Sequence, residues 1–265
     1  MAVRKLIRKK EKAKKDPLAL QRVVWTAGHA ITLVCGGVYA VFYLFQLLTC
    51  YRYRSWKTLF LIARPPPREP AGWLLWLWRL TPQLVYRLSL VGVITAYTVS
   101  NYQSWVQLNP TWYDLLSKEN FQSILIATLW LFSRASLFKL VPFLLNSYLH
   151  LTVKKDVNEQ EATLKNKQIL HVMAYSELVI IGTLLWDTLT FKDGTSGFVL
   201  VLFLGIYWLR LNFSPYAQVT LLRILLRIDK KVPASKKKQW EDIKNFLYLR
   251  IEENKKNRRA VESRL

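Results

Sequence analysis

ILHVMAYSELVIIGTLLWDTLTFKDGTSGFVLVLFLGIYWLRLNFSPY, residues 169–216, holds two long apolar runs flanking a short polar turn, KDGTSG, and leaves through a Pro-containing exit. At about 1.5 Å of rise per residue, the run 169–191 is long enough as a helix to cross a hydrocarbon core roughly 30 Å thick. The run 198–213 is shorter and needs local thinning or snorkelling at its flanks. Trp186, Tyr207 and Trp208 stand near the run ends, where amphipathic rings settle at headgroup level. A buried helical hairpin of a soluble protein is the competing reading, and further apolar runs upstream argue against it. The expected fold class is all-α: a polytopic helical membrane protein with irregular or kinked membrane helices and C-terminal amphipathic helices.

Composition supports a bilayer. The 265 residues are 52% hydrophobic, yet 39 Lys+Arg stand against 17 Asp+Glu, a net charge of +22. Those facts coexist because the charge is segregated to the chain ends and two loops, while the runs between are nearly neutral. Such basicity suits nucleic acid, anionic lipid or an acidic protein. No zinc-finger, helix-turn-helix or RNA-binding pattern is present, so direct nucleic-acid binding is not expected. Cys35 and Cys50 imply neither a disulfide framework nor a metal site, and no cofactor is expected. The basic start MAVRKLIRKKEKAKKD precedes an apolar run, 23–48, that is longer than a signal-peptide core, which reads as a retained anchor.

The charge pattern divides the chain into a basic tail (1–22), a membrane region (23–215) and a basic amphipathic region (216–265). The tail, with nine Lys/Arg against two acids, reads as a surface helix or a solvated segment. In run 23–48, Gly36-Gly37 permits close packing or a bend, and His29 stands alone. Pro65, Pro66 and Pro67 form a stiff stop. Segment 72–82, with Trp73, Trp76 and Trp78, is too short to span and reads as interfacial. Run 84–106, rich in small and hydroxyl residues, suits packing against helices. Run 121–151 contains Arg134, Lys139 and Pro142, so a kinked span or a dipping hairpin is expected there.

Lys and Arg excess sets orientation. From Arg210 onward 15 Lys/Arg face 6 acids, so both termini prefer the cytosol and the number of crossings is even. Connectors 107–120 and 187–197, each with one Lys and two acids, suit the lumen. Arg52, Arg54, Lys57, Arg64 and Arg68 conflict with this pattern. Either the first run folds back at Gly36-Gly37, or this loop is lumenal against the rule. Asn212-Phe213-Ser214 matches a glycosylation acceptor but abuts Pro215 and a membrane run, so it reads as silent.

A charged group at a helix centre costs roughly 2.5–3.5 kcal/mol. Glu177 lies well inside its run and is expected to pair with Arg134 or Lys139. A proton or ion path would need a series of such groups. Beyond Pro215, Val219, Leu222, Leu225 and Leu226 share one side while Arg223, Arg227 and Lys231 repeat every four residues. Trp240, Ile243, Phe246, Leu247 and Ile251 then recur at helical spacing opposite charges, the composition of an interfacial lipid-binding helix. Packing against a partner protein is the alternative. Lys236, Lys237 and Lys238, with Lys255, Lys256, Arg258 and Arg259, form clusters that a karyopherin could read instead.

No nucleophile elbow, metal-protease motif, paired histidine, phosphate loop or dinucleotide turn occurs, and His29, His150 and His171 fall on separate segments. A non-enzymatic protein is expected. The alternatives are a lipid-modifying enzyme, which needs clustered histidines or acids at one interface, and a transporter, which needs inverted repeats with broken helices. The terminal Ser263-Arg264-Leu265 is similar to a peroxisomal address, an unfavoured reading for a multispanning chain.

The succession YRLSLVGVITAYTVSNYQSW, LVPFLLNSYLHLTVKK, AYSELVIIGTLLW and YWLRLNFSPY resembles the transmembrane protein 33 family, whose fungal members are the 33-kDa pore membrane proteins. The resemblance covers roughly residues 86–233 and rests on Tyr86-Arg87, Tyr148 to His150, Glu177, Arg210 and Pro215-Tyr216. It implies a non-enzymatic protein of the endoplasmic reticulum membrane and nuclear envelope. It also implies roles in nuclear pore distribution and membrane shaping, with nuclear pore proteins and reticulon-type proteins as partners. The Trp-rich stretch 65–82 and a short link from Arg210 to Pro215 depart from the family pattern.

Overall fold

The chain is built from α1 (Ala19–Tyr53), α2 (Trp73–Trp105), a short α3 (Trp112–Ser117), α4 (Glu119–Phe132) and α5 (Leu137–Thr152). There follow α6 (Lys167–Leu189), α7 (Ser196–Phe213), α8 (Pro215–Asp229), a 3-10 turn (Ala234–Lys236) and α9 (Lys237–Glu262). This computed structural model describes residues 18–53, 73–106, 111–152, 166–190, 195–229 and 231–262, and within them the side chains of 49–53, 73–79, 234, 251 and 254–262 are not described. No strand occurs among the described residues. The Pro-rich stop and the loop 153–165 lie outside them, as do Arg54, Lys57, Arg64 and Arg68 and the terminal tripeptide.

Six helices pack as a closed ring. α1 lies against α2, α2 against α4, α4 against α7, α7 against α6, α6 against α5, and α5 returns to α1. Side-chain pairs fix the sense of each helix. Trp25 Nε1 near the start of α1 donates to Ser100 Oγ late in α2 at 3.0 Å. Asn146 late in α5 donates to Tyr97 late in α2. Arg210 late in α7 donates to Ser123 early in α4 at 2.8 Å. The chain therefore runs up and down through the ring, and Ala19 and Phe213 lie at one end, called proximal below. α1, α6 and α7 are long and apolar enough to cross a membrane.

The ring is inside out relative to a soluble bundle. α1 turns Gly28, His29, Thr32, Gly36 and Tyr39 inward, while Val41 and Phe45 are 68% and 66% exposed. Large apolar patches facing outward on helices long enough to span mark a lipid-facing surface. Inside, α2 supplies Tyr86, Leu90, Val93 and Tyr97 at steps of four, three and four, one face of a helix. These pack with Trp130 of α4, Leu140 and Phe143 of α5, Ile180 of α6 and Phe203 of α7.

Two sequence readings are corrected by the helices, and the expected interruption of a third run is located. α1 runs unbroken through Gly36-Gly37, so the chain does not fold back there. Segment 72–82 is not a separate interfacial piece, because α2 continues through Pro82. The proline withdraws one hydrogen bond, but backbone groups in an apolar setting find no better partner than the helix itself. The interruption of run 121–151 falls between Phe132 and Leu137, while Pro142 sits within α5. Lys139 explains the site of the break: its Nζ donates to Ser133 Oγ at 2.9 Å and to the Arg134 carbonyl at 2.8 Å. The run is two helices rather than one kinked span, α4 running distally and α5 returning.

Candidate functional site: a buried ion pair and a basic helix pair

Glu177 projects from the middle of α6 and forms an ion pair with Arg210, the two side chains being 7% and 12% exposed. Arg210 stands in the last turn of α7, where the helix dipole favours a cation. Ser214 closes that turn through its N–H to the Arg210 carbonyl at 2.7 Å, and Pro215 prevents α7 from continuing. Gln218 Nε2 reaches back to the Leu211 carbonyl at 2.7 Å, so the chain break leaves its carbonyls partnered. Asn120, Ser123, Asn146, Glu177 and Arg210 line a cavity of about 80 Å³, polar and roomy enough for several waters.

The pairing of Glu177 with Arg134 or Lys139 is thus corrected. Lys139 is directed to the α4–α5 break, and Arg134 is exposed there at the distal end. Glu177 faces the proximal half, where α7 is its neighbour in the ring. In sequence Arg210 reads as a flanking base at the end of an apolar run, a position that carries no sign of an inward direction.

The ring also assembles residues distant in sequence. His29 Nδ1 lies 3.0 Å from Ser147 Oγ. Its ring centroid is 4.7 Å from His150 and 4.6 Å from Trp25. His171 is elsewhere, beside Tyr216. Among the described residues no group of three His, Cys, Asp or Glu is placed to hold a metal.

At the proximal end α8 packs on α6 and α7, and α9 packs on α7 and α8. Asp229 links α8 to α9: its Oδ1 accepts from Lys244 Nζ at 2.7 Å and from Trp240 Nε1 at 2.9 Å. Trp240 and Leu247 are half-buried on this inner side, while Ile243 and Phe246 are 51% and 61% exposed. Arg223, Arg227, Lys236, Lys237 and Lys238 are exposed. The side chains of Ile251, Lys255, Lys256, Arg258 and Arg259 lie outside the described ones. Among the described ones, Trp240 and Leu247 are therefore turned away from the outward stripe that Ile243 and Phe246 keep, Trp240 being held on Asp229.

Lys244 above all, with Trp240, holds the Asp229 carboxyl below its ordinary value of 3.8. For a depressed carboxyl the link is present above the ordinary value and is lost as pH falls through the lowered one. Asp229→Asn is expected to speed hydrogen exchange across residues 240–247 at neutral pH, and acidification below the lowered value to reduce the protection of the same amides, measured against their intrinsic rates, in the unmodified chain. Unchanged exchange in the variant would mean that the link does not dock α9.

Outward apolar faces, a closed ring of helices and three helices long and apolar enough to cross a bilayer define an all-α polytopic membrane protein. The chain is 46% identical over 269 aligned residues to "Uncharacterized membrane protein YGR026W" of Saccharomyces cerevisiae, the match covering 97% of each chain, and it belongs to that family of membrane proteins. No family model matches the sequence. No solved structure matches it.

Proposed function

We propose that the protein is a non-enzymatic integral protein of the endoplasmic reticulum membrane and nuclear envelope that shapes the bilayer and supports nuclear pore complex distribution and assembly. The nuclear part of this reading rests on the resemblance to the transmembrane protein 33 family. The membrane-shaping part is carried by one observation: a basic helix pair, α8 and α9, braced at Asp229 beside the proximal end of the ring, with Ile243, Phe246 and Leu226 exposed among cations. The Lys and Arg excess at both termini assigns that end to the cytosol.

Such a pair acts as a wedge. Up to about 1 kcal/mol of attraction comes from each Lys or Arg near an anionic surface. Burial adds up to roughly 1.5–3 kcal/mol for each large apolar side chain fully removed from water. Because the ring anchors the pair to one face, the inserted volume is added to a single leaflet, which favours curvature. Ile243→Asp with Phe246→Asp, in the full chain, is expected to remove tagged protein from curved reticulum and nuclear rim and to enlarge the vesicles formed on reconstitution. Unchanged localisation and vesicle radius would defeat the wedge. If Lys236, Lys237 and Lys238 replaced by Ala abolish rim localisation while the apolar pair has no effect, a karyopherin is the reader of this region.

A further inference from the structure

At the distal end, away from the helix pair, a cleft of about 580 Å³ opens between α1, the start of α5 and the end of α6. That volume lies in the range of small-molecule sites, roughly 300–1,000 Å³. Its lining changes character along α6. Val179 and Gly182, both exposed, lie toward the middle of the helix, and Asp187, one turn or more toward its distal end, joins Trp186, Arg134 and the buried Lys139 at the polar rim. A Cβ added at Gly182 would meet nothing within 4 Å, so this side of α6 borders open space. Val179 in the lining and Leu185 on the same helix are 46% and 44% exposed and apolar; this side of the cleft faces the hydrocarbon, and what enters it comes from the bilayer.

We infer that this cleft binds one glycerophospholipid with a primary-amine headgroup, its phosphate on Arg134, its ammonium on Asp187 and an acyl chain along Gly182 and Val179. The rim carries both signs, two cations and one carboxylate, which matches a zwitterion better than a purely anionic headgroup. A guanidinium presents paired N–H donors suited to phosphate. A carboxylate accepts hydrogen bonds from a primary ammonium, whereas a quaternary ammonium has no N–H to donate. Lys139, buried beside Arg134 and bonded to its carbonyl, adds fixed positive potential at the phosphate position. Trp186, 59% exposed, sits at the depth where indole rings meet headgroups.

The test is native mass spectrometry of the full chain in mild detergent with equimolar dioleoyl phosphatidylethanolamine, phosphatidylcholine and phosphatidylglycerol. One phosphatidylethanolamine is expected to be retained about tenfold over the other two, the scale of one charge-assisted hydrogen bond. Gly182→Phe, which fills open space without touching backbone, is expected to bring retention to the level of nonspecific adducts. Asp187→Asn is expected to turn the preference toward phosphatidylglycerol, and Arg134→Gln, at an exposed position, to weaken all three. Equal retention by the unmodified chain and Gly182→Phe overturns the site, and an unchanged preference in Asp187→Asn overturns the headgroup assignment.

Discussion

Gly92→Leu is expected to abolish assembly of the ring, while Gly37→Leu leaves it intact. α1 and α2 cross at Gly28 and Gly92, where a Cβ on Gly92 would stand 2.7 Å from the Gly28 carbonyl and 3.0 Å from the Thr32 amide. A Cβ on Gly28 would meet the Ala96 amide and the Gly92 carbonyl, each at 2.9 Å. These are backbone atoms of two rigid helices, so the overlap cannot be relieved by a rotamer change. The contact also allows a hydrogen bond between the helices: Ser89 Oγ donates to the Thr32 carbonyl at 3.0 Å, while Thr32 Oγ1 donates to the Gly28 carbonyl of its own helix at 2.9 Å and lies 3.3 Å from the Ser89 carbonyl. Overpacking commonly costs 1–3 kcal/mol; with backbone atoms on both helices in the way and the Ser89 bond lost, the cost here is expected at about 3 kcal/mol or above. Gly37 faces open space, and Leu there adds lipid contact at little cost. Denaturant titration in detergent or bicelles compares the two directly, and equal stability would show that the crossing can spread.

Arg210→Ala is expected to be nearly as damaging. Removal of one member of a buried ion pair typically costs 3–5 kcal/mol, because the remaining charge is left without compensation. Here the remaining group is Glu177, which also keeps its place beside Ser123 and Asn146 in the cavity wall. Glu177→Gln is expected to be milder than Glu177→Lys, since the amide keeps an acceptor for Arg210 and adds no charge, whereas a lysine sets two cations together. Combining Glu177→Gln with Arg210→Gln should recover most of the loss, a non-additivity that a double-mutant cycle measures. Additive costs would mean that the two groups are not coupled, and the ion pair would then be incidental to stability.

The lengths of the apolar runs and their Trp and Tyr borders determined from sequence that the chain is helical and membrane-embedded, because a bilayer imposes a length and an interfacial chemistry on each segment independently of its neighbours. The same local logic gave the basic amphipathic character of α8 and α9, which needs only helical periodicity. Tertiary structure decided everything that depends on adjacency. Gly28, Gly36 and Gly37 are equally permissive in the sequence, yet only the neighbour across the crossing makes Gly28 and Gly92 the sites where a side chain cannot fit. Thr81-Pro82 and Pro142 look like breaks, but helix persists through both, and the break falls where Lys139 can serve the freed backbone at Ser133 and Arg134. Glu177 demanded a cation by its depth alone. Which cation answers is set by the order of helices around the ring, and that order places α7, with Arg210 at its C-terminal turn, beside α6.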